Sequence, residues 1–133
     1  MIVSEGAVTI RNGEITRSPD GIIYGRITEP GTVHTLDDAI EITNAMKKLR
    51  TNGKLVMLID IRNVKFVESK AISYFTSPEH TELVSAQAFL VGRALTRAIA
   101  RFFLQIHRPP YPAQIFSSES DAVDWLRTFL PHV

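Results

Sequence analysis

Short alternating and helical patterns of apolar residues follow one another along the chain, and they predict strands and helices in turn. Ala7 to Arg11 alternates apolar with polar residues, Asn12-Gly13 is a dipeptide that accepts positive φ in a tight hairpin turn, and Glu14 to Arg17 can pair back. Ser18-Pro19-Asp20-Gly21 reads as a second turn, Ile22 to Thr28 as a strand and Glu29-Pro30-Gly31 as its close. Thr35 stands three residues before Asp38, at the head of an apolar series with the spacing of one helical face: Leu36, Ala39, Ile40, Thr43, Met46 and Leu49. That helix is expected to end at Asn52-Gly53, with Gly53 left-handed and Lys47, Lys48 and Arg50 at the negative end of its dipole.

The stretch from Lys54 to Phe75 organises the rest. Leu55 to Ile61 is apolar at every position but Asp60, which a strand manages only when both faces are covered, so this strand is central. Arg62 and Asn63 then turn the chain, and Glu68-Ser69 open a short helix. Ser77-Pro78-Glu79 restarts with a cap residue and a proline at the first helical position. Ala86 to Gly92 is the next buried strand. From Arg93 onward Leu95, Ala98, Ile99, Phe102, Phe103 and Ile106 mark an amphipathic helix, which Arg108-Pro109-Pro110-Tyr111-Pro112 stops. Ala113 to Phe116 is a last strand. Ser118 with Asp121 caps a final helix whose inner face is Val123, Leu126 and Phe129 or Leu130, ended by Pro131. Strands alternating with helices need right-handed crossovers. The expected fold is α/β: one domain over 1–133, with a mixed, mostly parallel sheet of about five strands, an antiparallel N-terminal hairpin and four or five helices.

Charge and composition narrow the function. Fifteen basic residues against fourteen acidic ones leave a net charge of +1, which favours neither nucleic acid nor an acidic membrane. Cysteine is absent, so disulfides, thiol catalysis and thiolate metal sites are excluded, in keeping with a reducing compartment. Met1 to Ala7 lacks the pattern of a signal peptide, and no run approaches a membrane span, so a cytoplasmic location is expected. His34, His80, His107 and His132 form no spaced metal motif, and neither a nucleophile elbow nor a glycine-rich phosphate loop occurs. No enzymatic activity, metal or cofactor is expected.

Residues Asp60-Ile61-Arg62-Asn63-Val64-Lys65-Phe66-Val67-Glu68-Ser69-Lys70-Ala71-Ile72 resemble, without a gap, the strand, loop and helix start of STAS domains, the SpoIIAA-like fold of bacterial anti-sigma factor antagonists. The stretch from Ala88 to Leu126, with Gly92, Ala98 to Leu104, Arg108-Pro109-Pro110, Phe116 to Ser118 and Ala122 to Leu126, resembles a group of uncharacterised bacterial STAS-like proteins. In antagonist members the serine after the acidic residue is phosphorylated by a partner kinase. The resemblance assigns that position to Ser69, with Glu68 for the aspartate, Lys70 for a second serine and Ala71 for a glycine. A phosphate at a helix start meets free amide donors and the positive dipole end. Read from the residues alone, Ser69 is equally a plain helix cap.

The resemblance implies a non-enzymatic, cytoplasmic regulatory or protein-interaction module. Its contact surface is expected around Asp60, Arg62, Asn63, Glu68, Lys70 and Ile72, with Ser69 as phospho-acceptor and a kinase or regulator as partner. Arg93, Arg97 and Arg101, four apart on one helix, form a candidate anion site or a solvated, internally paired face. Tyr74, Phe75, Phe102, Phe103 and Trp125 serve most simply as core. They would line a cavity if the chain were instead a carrier or sensor of a small apolar or lipid-like ligand, a use suggested by the similarity of STAS and CRAL-TRIO folds. Adjacent Phe102 and Phe103 cannot both face one core, so one of them is expected against a neighbouring helix or a second copy in a homodimer.

Overall fold

The structure is a computed structural model that describes residues 3–4, 6–51, 53–92 and 94–130. Strands β1 (Val3–Ser4), β2 (Ala7–Ile10), β3 (Gly13–Arg17) and β4 (Ile22–Ile27) pair antiparallel in that order. After β5 (Thr32–His34) and α1 (Leu36–Leu49), β6 (Leu55–Asp60) returns parallel to β4. Next come β7 (Val64–Val67), α2 (Ser69–Phe75) and α3 (Pro78–Thr81), then β8 (Val84–Leu90) parallel to β6. Helix α4 (Ala94–His107) leads to β9 (Ala113–Phe116), parallel to β8, and α5 (Glu119–Arg127) follows. The fold is the expected mixed α/β sheet with an antiparallel hairpin at its start, extended to seven strands in the order β1-β2-β3-β4-β6-β8-β9.

From β4 to β9 each new strand adds on the same side of the last, and right-handed crossovers then put every connecting helix over one face. Ile42 and Met46 of α1, Phe75 of α2 and Ala100 and Phe103 of α4 accordingly share a core with Ile23, Met57, Ile59 and Phe89. The opposite face is covered by α5, whose Ala122 and Leu126 lie against Ile22, Leu58, Ala88 and Leu90. Every residue of β6 is buried, alternating between the two layers.

Two of the caps expected from the sequence form side-chain bonds; Ser77 stands at the N-cap of α3 without one, its Oγ donating to the Tyr74 carbonyl, and Ser69 is the first residue of α2 rather than its cap. Thr35 Oγ1 accepts from the Asp38 amide at 3.2 Å while the Asp38 carboxylate accepts from the Thr35 amide at 2.9 Å, a capping box. Ser118 accepts from the Asp121 amide at 3.3 Å. Helix α1 stops at Arg50, earlier than its expected end; Gly53 does adopt φ +70°, but in the turn beyond the helix. Asn52, Arg93 and Pro131 lie outside the described residues.

Two features depart from the pattern. β5 and β7 pair in parallel as a separate two-stranded sheet, where a loop was expected, with Val33 opposite Phe66 and His34 opposite Val67. Both outer residues of that ladder are apolar and exposed, so the polar-out alternation that reveals a strand is missing. The second departure is the hairpin turn after β2. Neither Arg11 nor Asn12 has positive φ and Gly13 is extended, so glycine is not there for a left-handed turn. It is there because a Cβ would run into the Arg26 backbone carbonyl of β4. Asn12, 1% exposed, ties the turn inward through Nδ2 to Thr32 Oγ1 at 3.1 Å, and its carbonyl accepts from the Thr28 amide.

Because the obstacle is backbone in a paired strand, it cannot swing aside as a side chain would. Gly13→Ala is expected to lower the unfolding free energy by about 2 kcal/mol or more. Urea titration reads this as an earlier midpoint at unchanged slope; a midpoint equal to wild type would mean that β3 can slide off β4.

Candidate functional site

The carboxyl ends of the parallel strands, where α/β sheets usually present their sites, are closed by charge pairing. Asp60 ends β6 and is 7% exposed, on the α5 side of the sheet. Its carboxylate accepts from Arg62 Nε at 2.9 Å, from Arg62 Nη2 at 2.7 Å and from the Arg62 amide at 3.1 Å. Arg26 stands 3.7 Å from the same carboxylate and forms a fork with Glu119 at 2.8 and 3.1 Å, which holds the Glu119 carboxyl below its ordinary value. Two arginines and two carboxylates thus neutralise one another and fasten the strand ends to the first turn of α5. Asp60 therefore does not offer itself on a contact surface, as the sequence suggested, but fixes Arg62. Asn63 is exposed, with Nδ2 donating to the Ile27 carbonyl at 3.0 Å.

Ser69 is exposed as the first residue of α2. Glu68 precedes it as N-cap, without a side-chain cap bond, and its amide donates to the His34 carbonyl at 2.9 Å. Glu68, Ser69 and Lys70 face Thr35, Leu36 and Asp37 across a shallow cleft between the starts of α2 and α1. Ile72 turns inward from this surface, toward the cavity described next. On α4, Arg101 is exposed and Arg97 half-buried, and neither forms an ion pair among the described residues. Arg93 lies outside the described residues, so its place beside them is not defined.

Beneath α4 lies a cavity of about 350 Å³. Met57, Ile59, Gln87 and Phe89 of the sheet form its floor, Val64, Val67, Ile72 and Phe75 a wall, and Ile99, Ala100 and Phe103 its roof. Of the described α4 residues only Thr96 and Ala100 are buried, so the helix meets the sheet with small side chains and leaves the space between unfilled. Phe66 and Phe102 also line it and are 57% and 55% exposed, which marks its mouth. A dry, closed void of this size would cost on the order of 8 kcal/mol, comparable to the whole stability of a domain. The space is therefore sustained by its opening to solvent or by an occupant. Of the five aromatics considered from sequence, Phe75, Phe102 and Phe103 belong to this cavity, Trp125 packs with Phe116 and Phe129 on the α5 side, and Tyr74 donates to Glu79 at 2.8 Å.

Among the described residues the cavity carries no carboxylate, lysine, arginine or aliphatic hydroxyl. Its polar side chains are His34, His80, Gln87 and Tyr111. Tyr111 donates to Gln87 Oε1 at 3.1 Å, and burial lifts its hydroxyl to about 12. His80 Nδ1 is 2.9 Å from Thr43 Oγ1, whose single proton goes to the Ala39 carbonyl at 3.0 Å, so Nδ1 must be the protonated nitrogen. His34, 4% exposed, has no partner for either ring nitrogen. Among the described residues no group of three His, Cys, Asp or Glu side chains is placed to hold a metal, and no helix is long and apolar enough to cross a membrane.

Burial lowers His80 from 6.5 to about 4, and lowers His34 as well. The unfolded chain therefore takes up these protons first, and stability is full above about 6.5 and falls as pH drops toward 4. Burial pushes the Asp38 carboxyl up, but hydrogen bonds from Arg11 (2.6 and 2.7 Å) and Thr35 outweigh it and hold the group at about 2. Its stabilisation is present above 3.8 and is lost as pH falls toward 2. The unfolding free energy is expected to drop between pH 7 and 4, with His80 contributing on the order of 3 kcal/mol. His80→Asn places an amide donor where Nδ1 stood and cannot titrate, so denaturation across this range should show a flatter profile; an unchanged profile would assign the effect to other groups.

A comparison with curated proteins finds no match. Among solved structures, the chain is similar to an uncharacterised protein of the DUF3478 family with a SpoIIAA-like fold from Shewanella loihica PV-4. That match has 21% identity over 84% of this chain and 90% of the other, with a TM-score of 0.62. A protein of unknown function from Arthrobacter sp. FB24 is 30% identical over 90% of this chain and 95% of its own, with a TM-score of 0.32. The fold is therefore SpoIIAA-like, and with residues 16–130 matching the family model, the chain belongs to the family described as a domain of unknown function, DUF7793.

Proposed function

We propose that the chain is a non-enzymatic, cytoplasmic regulatory or protein-interaction module that docks a protein partner through the outer side of β7 and the start of α2. The observation that carries this reading is the exposure of Lys65, Phe66, Glu68, Ser69 and Lys70 in one continuous segment, with Phe66 set opposite the exposed Val33. An apolar side chain standing in solvent among charges has the make-up of a partner surface. Arg62, held by Asp60, and Asn63, held by the Ile27 carbonyl, extend that surface toward the sheet. Ile72 supports it from beneath. The non-enzymatic part of the reading is supported by the lining of the cavity, which among the described residues holds no carboxylate, lysine or aliphatic hydroxyl, and by Asp60 being committed to arginines.

Ser69 is the residue at which a partner kinase would switch this surface. Around it stand one cation, Lys70, and two carboxylates, Asp37 and Glu68. A phosphate there would bring nearly two negative charges that the cleft cannot neutralise, so its charge would face the partner rather than fold back. Leu95, Phe102 and Ile106 lie along one stripe of α4 and are exposed, which supports pairing with a second copy as the homodimeric form of the same reading.

Affinity capture from the source organism with wild type, Phe66→Ser and Ser69→Asp as baits tests the proposal. A discrete partner held by wild type should fall by about tenfold with Phe66→Ser and change with Ser69→Asp, and sites mapped on the native protein should include Ser69. Equal capture by all three baits would reject the surface, and an unmodified Ser69 under every growth condition would reject the switch.

A further inference from the structure

Among the described residues, the walls of the cavity beneath α4 hold one side chain with no hydrogen bond at all for its buried polar atoms. Tyr111 donates to Gln87 Oε1, and His80 Nδ1 is tied to Thr43. His34 lies just before the α1 capping box, where the charged neighbours are Arg11 and Asp38. Those two are engaged in a fork with each other, and Arg11 also donates to the Val33 carbonyl at 3.1 Å. Among the described residues no side chain or backbone group hydrogen-bonds the imidazole, and both of its nitrogens are buried without a partner. Folded proteins rarely leave a buried donor and a buried acceptor unused on one side chain.

The cavity also restricts what can meet His34. With about 350 Å³ it has room for a body of roughly a dozen non-hydrogen atoms. Its lining is mostly aliphatic and aromatic, and among the described residues it offers no counter-charge to a carboxylate, phosphate or ammonium. Burial keeps the imidazole neutral, with one donor and one acceptor nitrogen. A lone water is a poor answer, because an ordered buried water needs two to four polar partners.

We propose that this cavity binds a small uncharged amphiphile, an apolar body carrying one hydroxyl, carbonyl or amide group that hydrogen-bonds His34. This site lies on the inner side of β7 and α2, behind the outer surface read above as a protein-docking face, and the two share Phe66 at the cavity mouth. Anionic lipids and fatty acids are disfavoured, because their head groups would be buried uncompensated. The ligand's polar group reaches past the floor residues Met57 and Ile59 to His34, and its apolar part fills the space under Ala100 and Phe103.

Calorimetry of the full chain with 1-decanol and with decanoate at pH 7.5, together with the ¹⁵N spectrum of the histidine rings, tests the site. 1-Decanol should saturate one site per chain and shift the His34 ring nitrogens, and decanoate should bind at least about tenfold more weakly. Ala100→Phe, which fills the space from the roof, should abolish binding. His34→Leu should weaken 1-decanol by at least about tenfold while leaving the unliganded protein no less stable, since it removes an unsatisfied group. Absence of saturable 1-decanol binding, or binding that survives Ala100→Phe, overturns the site. Decanoate bound as tightly as 1-decanol, or His34 ring signals that 1-decanol leaves unmoved, overturns the ligand class and leaves the imidazole to water. Should His34→Leu fail to fold, the wild-type ring spectrum carries the test by itself.

Discussion

A strand with all six of its residues buried needs a layer on each side, and β6 acquires its two layers unequally because the strands after it are added in one direction only. On the α5 side the sheet presents Ala86 and Ala88, and α5 answers with Ala122, so the helix can come close and a few residues seal that face. On the other side α1, α2, α3, α4 and the β5–β7 ladder all compete for cover over larger side chains such as Met57, Ile59 and Phe89. Several separate pieces meeting over one sheet cannot all approach it equally. Helix α4, held between β7 and β9, is the one that stands off.

How much of this the residues disclosed depends on whether a signal was repeated. Leu55 to Ile61 and the face of α1 repeat theirs over whole elements, so the central strand, the first crossover and both side-chain caps were legible. β5 and β7 are three and four residues long and place Val33 and Phe66 outward, against the usual alternation, so nothing local marked them. Gly13 was noticed for the wrong reason: the constraint is a neighbouring strand's carbonyl, which has no trace in the dipeptide Asn12-Gly13. The cavity was visible only as an alternative use of five aromatics, of which Phe75, Phe102 and Phe103 line it. Phe103 packs inward against Phe89 at 5.7 Å between ring centres and Phe102 stays outside, as adjacent positions on a helix require. The sign that would have announced unfilled space was the smallness of Thr96 and Ala100, where α4 is buried. His34 gave no sign at all, since an isolated histidine before a helix cap looks the same whether its ring is satisfied or not.

Charge pairing closes the strand ends and the start of α1. At the strand ends Arg62, Asp60, Arg26 and Glu119 pair in sequence, and at the α1 start Arg11 and Asp38 do the same around a capping box. Asp38 is almost wholly buried, and a carboxylate there is tolerable only because a guanidinium fork, an amide and a hydroxyl all point at it. Among the described residues, the buried polar atoms left over are both ring nitrogens of His34, in an apolar space, and Asn12 Oδ1 at the hairpin turn. An imidazole in an apolar space suits recognition by hydrogen bond and shape.

The same short segment bounds the cavity on one side and faces solvent on the other. Val64, Val67 and Ile72 line the interior, while Lys65, Glu68, Ser69 and Lys70 lie outside. Helix α2 is seven residues long, buries only Ala71 fully and lacks a side-chain cap, so little of its stability is its own. Its position is set by what it leans on. An occupant of the space behind Val67 and Ile72, as proposed, would help to hold Ser69 in place. By linkage the influence would run both ways, so a partner docked on α2 and a ligand behind it would change each other's affinity by the same factor.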